Sequence, residues 1–139
     1  MKLSQSILLL ATISLSSLSI IAIPTQAETL IYGKTYFRDA WQSHGTNPLA
    51  YGKNDVYFGF NGYQIVSAYA YQTTGNLLGE VTELGIRKIS GNSTSQTFQG
   101  GFKIGYSVSF SHLSLGPTVD YYGRITIDDK GGNSSSWLN

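Results

Sequence analysis

The chain has 139 residues, enough for one domain, and no cysteine, which excludes a disulfide framework and any thiolate metal or redox site. Only 12% of its residues are charged and the net charge is +1, so no basic field exists to attract nucleic acid and that partner class is set aside. Aromatic residues make up 13% and glycine occurs 16 times, a mix too apolar for disorder and too rich in glycine and tyrosine for a helical domain.

In chain order, the first 27 residues read as an export signal. Lys2 supplies a short positive region, residues 7–23 are largely apolar with interspersed serines, and Pro24-Thr25-Gln26-Ala27 offers a small-residue cleavage site before Glu28. The rival is a retained transmembrane helix, since the apolar run approaches spanning length. The serines, the break at Pro24 and the site at Ala27 favour cleavage, leaving 28–139 as the mature domain. No other stretch is continuously apolar for long enough to span as a helix, so a membrane-resident mature chain would cross with strands.

Residues 28–39 predict a first strand, with Ile31, Thr35 and Phe37 on one side and Tyr32, Lys34, Tyr36 and Arg38 on the other. Residues 40–54 predict a loop, punctuated by Gly45, Asn47-Pro48 and Gly52-Lys53-Asn54. Trp41 in this loop is either an interfacial anchor or a packed loop residue. In 55–72 the apolar parity flips between Phe60 and Tyr63, which a hairpin at Asn61-Gly62 or a β-bulge would each explain. A hairpin would leave 55–60 only ~20 Å long, short of the ~25 Å apolar band of a barrel, so a bulge in one long strand is preferred. Residues 73–76 form a tight turn and 77–90 a returning strand, with Leu84 and Ile86 outward and Glu83 and Arg87 inward. Residues 91–96 and 129–136 are polar loops.

The strongest pattern runs over 98–128. Phe98, Gly100, Phe102, Ile104, Tyr106, Val108 and Phe110 alternate with polar or small residues, and after Ser111-His112 the row passes to Leu113, Leu115, Pro117, Val119, Tyr121, Ile125 and Ile127. A period of two is the strand signal, and a two-residue turn at Ser111-His112 pairs Phe110 with Leu113 on one face. Soluble sandwiches use strands of ~5–6 residues, whereas membrane strands sustain ~9–11, and here the alternation fills both 98–110 and 113–128. The expected fold is therefore all-β, an antiparallel meander of five or six long amphipathic strands forming part of a transmembrane barrel; a soluble sheet with a solvated polar face is the alternative.

These residues also carry a resemblance. The opening Ile31-Tyr32-Gly33-Lys34 and the segment FKIGYSVSFSHLSLGPTVDYYGRITID at 102–128 resemble Gram-negative outer-membrane β-barrels. The GY-x-hydrophobic, tight turn, L-x-LGP and Y-x-R succession is similar to autotransporter translocator barrels, and the YGK opening is more like porins. What the resemblance implies is residence in the outer membrane, a lipid-bilayer partner and a pore-like lumen. Five or six strands do not close a barrel that needs about eight. The chain is thus expected to be a piece of a longer barrel, one of several copies sharing strands in a homo-oligomer, or soluble after all.

In the barrel, Lys34, Arg38, Glu83, Arg87, Lys103, Asp120 and Arg124 would face the lumen, setting its field or pairing with one another. Phe102, Tyr106, Phe110, Val119, Tyr121 and Ile125 would face lipid, with Tyr63, Tyr69 and Tyr71 further members of an aromatic girdle. His112, Ser114 and Asp120 are the one conceivable nucleophile set, but His112 sits in an expected turn where polar residues are ordinary, so no catalytic residue is assigned. His44 is lone, and Asp128-Asp129 with Asn133 lacks the spacing of a calcium loop, so no metal or cofactor is expected. Asn92-Ser93-Thr94 and Asn133-Ser134-Ser135 are glycosylation sequons in a eukaryotic setting only. The expected function is a porin-like passive channel for small polar solutes. The alternatives are an autotransporter-type translocator and a secreted soluble β-sandwich that binds a surface or partner.

Overall fold

The computed structural model describes residues 29–46, 49–105, 108–110, 113–115 and 118–139; the export signal, Tyr106 and the Ser111-His112 turn lie outside them. The chain divides at Ile31, and the unit Tyr32–Asn139 carries every described strand. Two antiparallel sheets build it, with no helix among the described residues. The first joins β1 (Tyr36–Thr46), β2 (Ala50–Phe60) and β3 (Ile65–Gly75) in that order. The second runs β4 (Glu80–Gly91), β5 (Ser95–Gly105), β8 (Thr118–Asp128) and β9 (Asn133–Trp137). A short ribbon, β6 (Val108–Phe110) with β7 (Leu113–Leu115), keeps the register of the β5–β8 pair: Gly105 faces Thr118, Val108 faces Leu115 and Phe110 faces Leu113. The pairing expected of a two-residue turn is thus present.

The sheets pack face to face, β2 over β5, β1 over β8 and β9, and β3 over β4. Phe102 lies with its ring on Gly52 and is fully buried, and Ile125 is 1% exposed. The expectation that Phe102 and Ile125 face outward is corrected: their row is the inner face of the second sheet, and the polar row with Lys103, Asp120 and Arg124 is the outer one. Alternation identifies two faces but not which of them meets a core, because a second sheet buries an apolar row as well as lipid does.

Across the middle of the inner face runs a row of three amides, Gln42 on β1, Asn54 on β2 and Gln72 on β3, directly opposite one another in register. Asn54 Nδ2 donates to Gln42 Oε1 (3.3 Å) and to the Gly100 carbonyl (3.3 Å), while Asn54 Oδ1 accepts from Gln72 Nε2 (2.9 Å). Gln72 Nε2 also reaches the Gly101 carbonyl at 3.1 Å, its Oε1 accepts the Gly85 N–H at 3.0 Å, and Gln42 Nε2 donates to the Ser136 carbonyl at 3.2 Å. Gly100 and Gly123 lie opposite because any side chain there would overlap Asn54 or Gln42. On one side of the row sit Ala50, Phe102 and Ile104 with Val81, Tyr121 and Trp137; on the other sit Val56, Phe58 and Phe60 with Phe98, Ile125 and Ile127.

Several boundaries differ from expectation. The 40–54 loop is instead most of the β1–β2 hairpin, whose connection falls between Thr46 and Ala50. Gly52 is tolerated within a strand because the Phe102 ring fills the space a side chain would take. Since β2 begins at Ala50, it is 11 residues long, and the length argument against a hairpin at Asn61-Gly62 lapses. Asn61 Oδ1 accepts the N–H groups of Tyr63 and Gln64, both at 2.9 Å, closing a turn before β3, and a register shift at Gly59/Phe60 adds the bulge as well. The tight turn expected at 73–76 falls later, after Gly75, and the 129–136 loop contains β9, a short polar edge strand. At this end the turns are tied together: Gly62 N–H donates to Asp129 O (2.8 Å), and Asp129 N–H to Thr94 O (3.0 Å).

Candidate functional site

The outer face of β1–β3 carries what the inner face does not need. Alternation places Phe37, Asp39, Trp41 and Ser43 of β1 on it, with Lys53, Asp55 and Tyr57 of β2 and Ser67, Tyr69, Tyr71 and Thr73 of β3. The register sorts them into rows: Asp39–Tyr57–Tyr69, then Trp41–Asp55–Tyr71, then Ser43–Lys53–Thr73. Phe37 and Tyr57 stack with centroids 5.7 Å apart and planes at 6°, and Tyr69 and Tyr71 stack at 5.6 Å and 28°. Four of these rings face solvent, with Tyr69 67% and Phe37 57% exposed. A contiguous aromatic surface of this kind is unusual on a sheet that no further layer covers among the described residues.

At its centre lies Asp55, only 1% exposed between the flanking rings. Neither of its oxygens accepts a hydrogen bond from an N–H or hydroxyl among the described residues. Its charged neighbours are Lys53, whose Nζ is 3.4 Å from Oδ1 and 4.8 Å over the Trp41 ring, and the carboxyl of Asp39. Asp39 is exposed, yet desolvation of its carboxyl by the sheet face and then the Asp55 charge push it up to about 7. Burial raises Asp55 as well, against the pull of Lys53. Two neighbouring acids on one desolvated face retain a proton between them, and Asp39 is the member held protonated to the higher pH. Tyr71 is also raised, by desolvation and then by Asp55 and Asp39, which keeps its hydroxyl a donor. The arrangement offers flat apolar rings together with one carboxyl, one ammonium and three phenol hydroxyls, all suited to binding.

The residues singled out from sequence are dispersed. Lys103 and Asp120 are direct cross-strand partners on the outer face of the second sheet at 2.7 Å, and beside them Arg124 Nε donates to Gln99 Oε1 at 2.9 Å. Arg87 is opposite Gln99 on the same face, while Glu83 is exposed on edge strand β4 opposite Phe102. Ile86, expected to point outward, is half-buried opposite Gly100, because bulges at Leu84 and Ile89 shift the faces of β4. Lys34 lies over the Tyr36 ring, and Arg38 donates to the Gly131 carbonyl at 2.8 Å and covers Phe60. The seven charges therefore form no common ring; they occupy an outer face, an edge and one end of the unit.

Of the expected outward apolar residues, Val119 is exposed while Tyr121 is half-buried against the His44 ring, with centroids 4.0 Å apart and planes tilted by 36°. His44, set aside as incidental, fills the end of the core between Tyr121 and Trp137, and burial lowers its pKa. Phe110 is described by its backbone pairing alone. Asp128 uses its carboxylate to hold a turn, accepting the N–H groups of Lys130 and Gly132, both at 2.8 Å, and no cluster of three potential metal ligands occurs among the described residues.

Sequence reasoning does not bring Asp39 and Asp55 together, because the expected loop over 40–54 separates the strands that hold them. The signal was present: Asp39 and Asp55 lie almost symmetrically about Asn47-Pro48, as the arms of a hairpin turning there would require. Comparison with protein-family models, curated proteins and solved structures finds no match to the chain.

Proposed function

We propose that the chain is an exported β-sandwich module that binds a partner through the outer face of β1–β3. The observation that carries this is Asp55, a carboxylate buried beneath exposed aromatic rings with no donor from the backbone. Such a group is costly to the fold, and it is retained beside four solvent-facing rings that contribute little to the core. A carboxyl group pushed as far up as that of Asp39, paired with a buried one and next to an exposed aromatic surface, favours a functional site over a packing device.

A passive channel asks the rows holding Phe102 and Ile125 to meet lipid, and those rows are buried against the first sheet with the amide row between them. The geometry therefore supports the binding module over the channel. Fractionation of cells expressing the full chain tests the proposal. Recovery as a detergent-free monomer from the soluble exported fraction is expected, with Tyr57 and Tyr69 open to hydroxyl-radical labelling. Retention in membranes after carbonate washing, with heat-modifiable gel mobility, would overturn it.

A further inference from the structure

We infer that the partner is carbohydrate: the outer face of β1–β3 is a platform on which the stacked pairs Phe37/Tyr57 and Tyr69/Tyr71 carry the apolar faces of pyranose rings, while Asp39 and Lys53 bond their hydroxyls. This rests on the proposed function above and names its ligand class.

Three observations choose this occupant. The first is charge. Asp39 and Asp55 share a proton, and Lys53 answers the charge that remains, so the centre of the face is close to neutral. A cationic ligand would find the place for an ammonium, between the Trp41 ring and Asp55, already filled by Lys53. An anionic ligand would meet the exposed carboxyl of Asp39 with the Asp55 charge beneath it. A neutral polyol meets no such conflict.

The second is the mixture of donors and acceptors. A sugar presents hydroxyls around a ring whose axial C–H groups form flat apolar patches, so it needs aromatic faces with donors and acceptors beside them. The exposed carboxyl of Asp39, the part-exposed Lys53 ammonium and the hydroxyls of Tyr57, Tyr69 and Tyr71 provide both kinds within three adjacent rows of the sheet. Asp55, being covered, does not reach the ligand; it is a positioning residue that fixes Lys53 and Asp39.

The third is area. Three strands spaced ~4.8 Å apart, with the face running seven residues along each from the Phe37–Gly59–Ser67 row to the Ser43–Lys53–Thr73 row, give a platform of roughly 300 Å². A stable protein partner needs about 800 Å² a side with an apolar centre, whereas the remaining places on this face are held by Ser43, Ser67 and Thr73. A short oligosaccharide segment is covered by a surface of that size.

Native electrophoresis of the full chain through gels cast with hydroxyethylcellulose, galactomannan or dextran, with hyaluronate as an anionic comparison, tests the assignment. Retardation by at least one of the neutral polymers is expected. Tyr69→Ala and Tyr57→Ala should each weaken it roughly tenfold, while Tyr122→Ala, on the outer face of the second sheet, should leave it unchanged. The retarding polymer should also protect Tyr69 and Tyr71 from hydroxyl-radical labelling. Unaltered mobility on all three neutral polymers, retardation by hyaluronate alone, or retardation that survives both variants in chains of unchanged circular dichroism would overturn the assignment to neutral carbohydrate. A soluble, folded chain that no neutral polymer retards overturns this inference alone, whereas carbonate-resistant membrane residence overturns the function on which it rests.

Discussion

Asn54 and Asp55 are adjacent in the chain, point to opposite faces of β2 and are equally buried, at 0% and 1% exposure. Their side chains differ by one amide group. On the inner face, Asn54 uses both donors and its acceptor, within an amide row tied to the opposite sheet. On the outer face, Asp55 has no hydrogen bond from the backbone and relies on an ammonium at 3.4 Å and a shared proton. A fully satisfied buried polar group is what a fold keeps for its own architecture. A poorly satisfied one beneath exposed rings is a site held ready for something else.

The comparison is broken or sharpened by exchanging the two chemistries. The largest effect is expected for Asn54→Asp, which keeps the shape but turns a donor into an acceptor aimed at Gln42 Oε1 and the Gly100 carbonyl. A charge also enters the core, and urea denaturation should show a loss of about 4 kcal/mol. The reciprocal Asp55→Asn removes a charge that burial already disfavours, so the same measurement at neutral pH should change by no more than about 1 kcal/mol. If the two variants lose equal stability, the distinction between the faces fails.

Titration gives the next effect. Asp39 ordinarily loses its proton near 3.8 but keeps it to about 7 in the folded chain. Between those values the folded state binds more protons than the unfolded one, so stability is fully present below the lower value and falls as pH rises through the upper. Because Asp39 is exposed, screening reduces the effect to about 1 kcal/mol between pH 4 and 8, and Asp39→Asn should flatten the slope in melts across that range. The smallest effect belongs to the ion pair on the other sheet. Lys103 and Asp120 are both more than 40% exposed, and Lys103→Met should cost about 0.5 kcal/mol or less, declining with salt.

The strand content and the hairpin over 98–128 were legible in the sequence, because Phe98 to Phe110 and Leu113 to Ile127 alternate with period two, and Phe110 does pair with Leu113. The orientation of those rows was not, since a facing sheet and a lipid shell demand the same pattern. Strand ends were obscured where glycine had a tertiary purpose, as at Gly52 beneath Phe102, and where serine-rich residues formed edge strand β9. Of the candidate site, the sequence pattern marks Tyr69 and Tyr71 as aromatic surface residues, but Asp39 and Asp55 meet only once the β1–β2 register is known. Register depends on the turn between Thr46 and Ala50, which local composition hid inside a longer polar segment.

The amide row also bears on how the chain avoids mispairing. A slip of one residue would turn every side chain of a strand over, and the apolar alternation alone forbids that. A slip of two preserves the alternation and would pass unnoticed by hydrophobic burial. It would set Gln72 opposite Gly52 or Val56 and strand Asn54 without its partner, at about 1–3 kcal/mol for each abandoned group. Three polar side chains thus act as a vernier on the first sheet, selecting one alignment from a set that greasy contacts cannot tell apart.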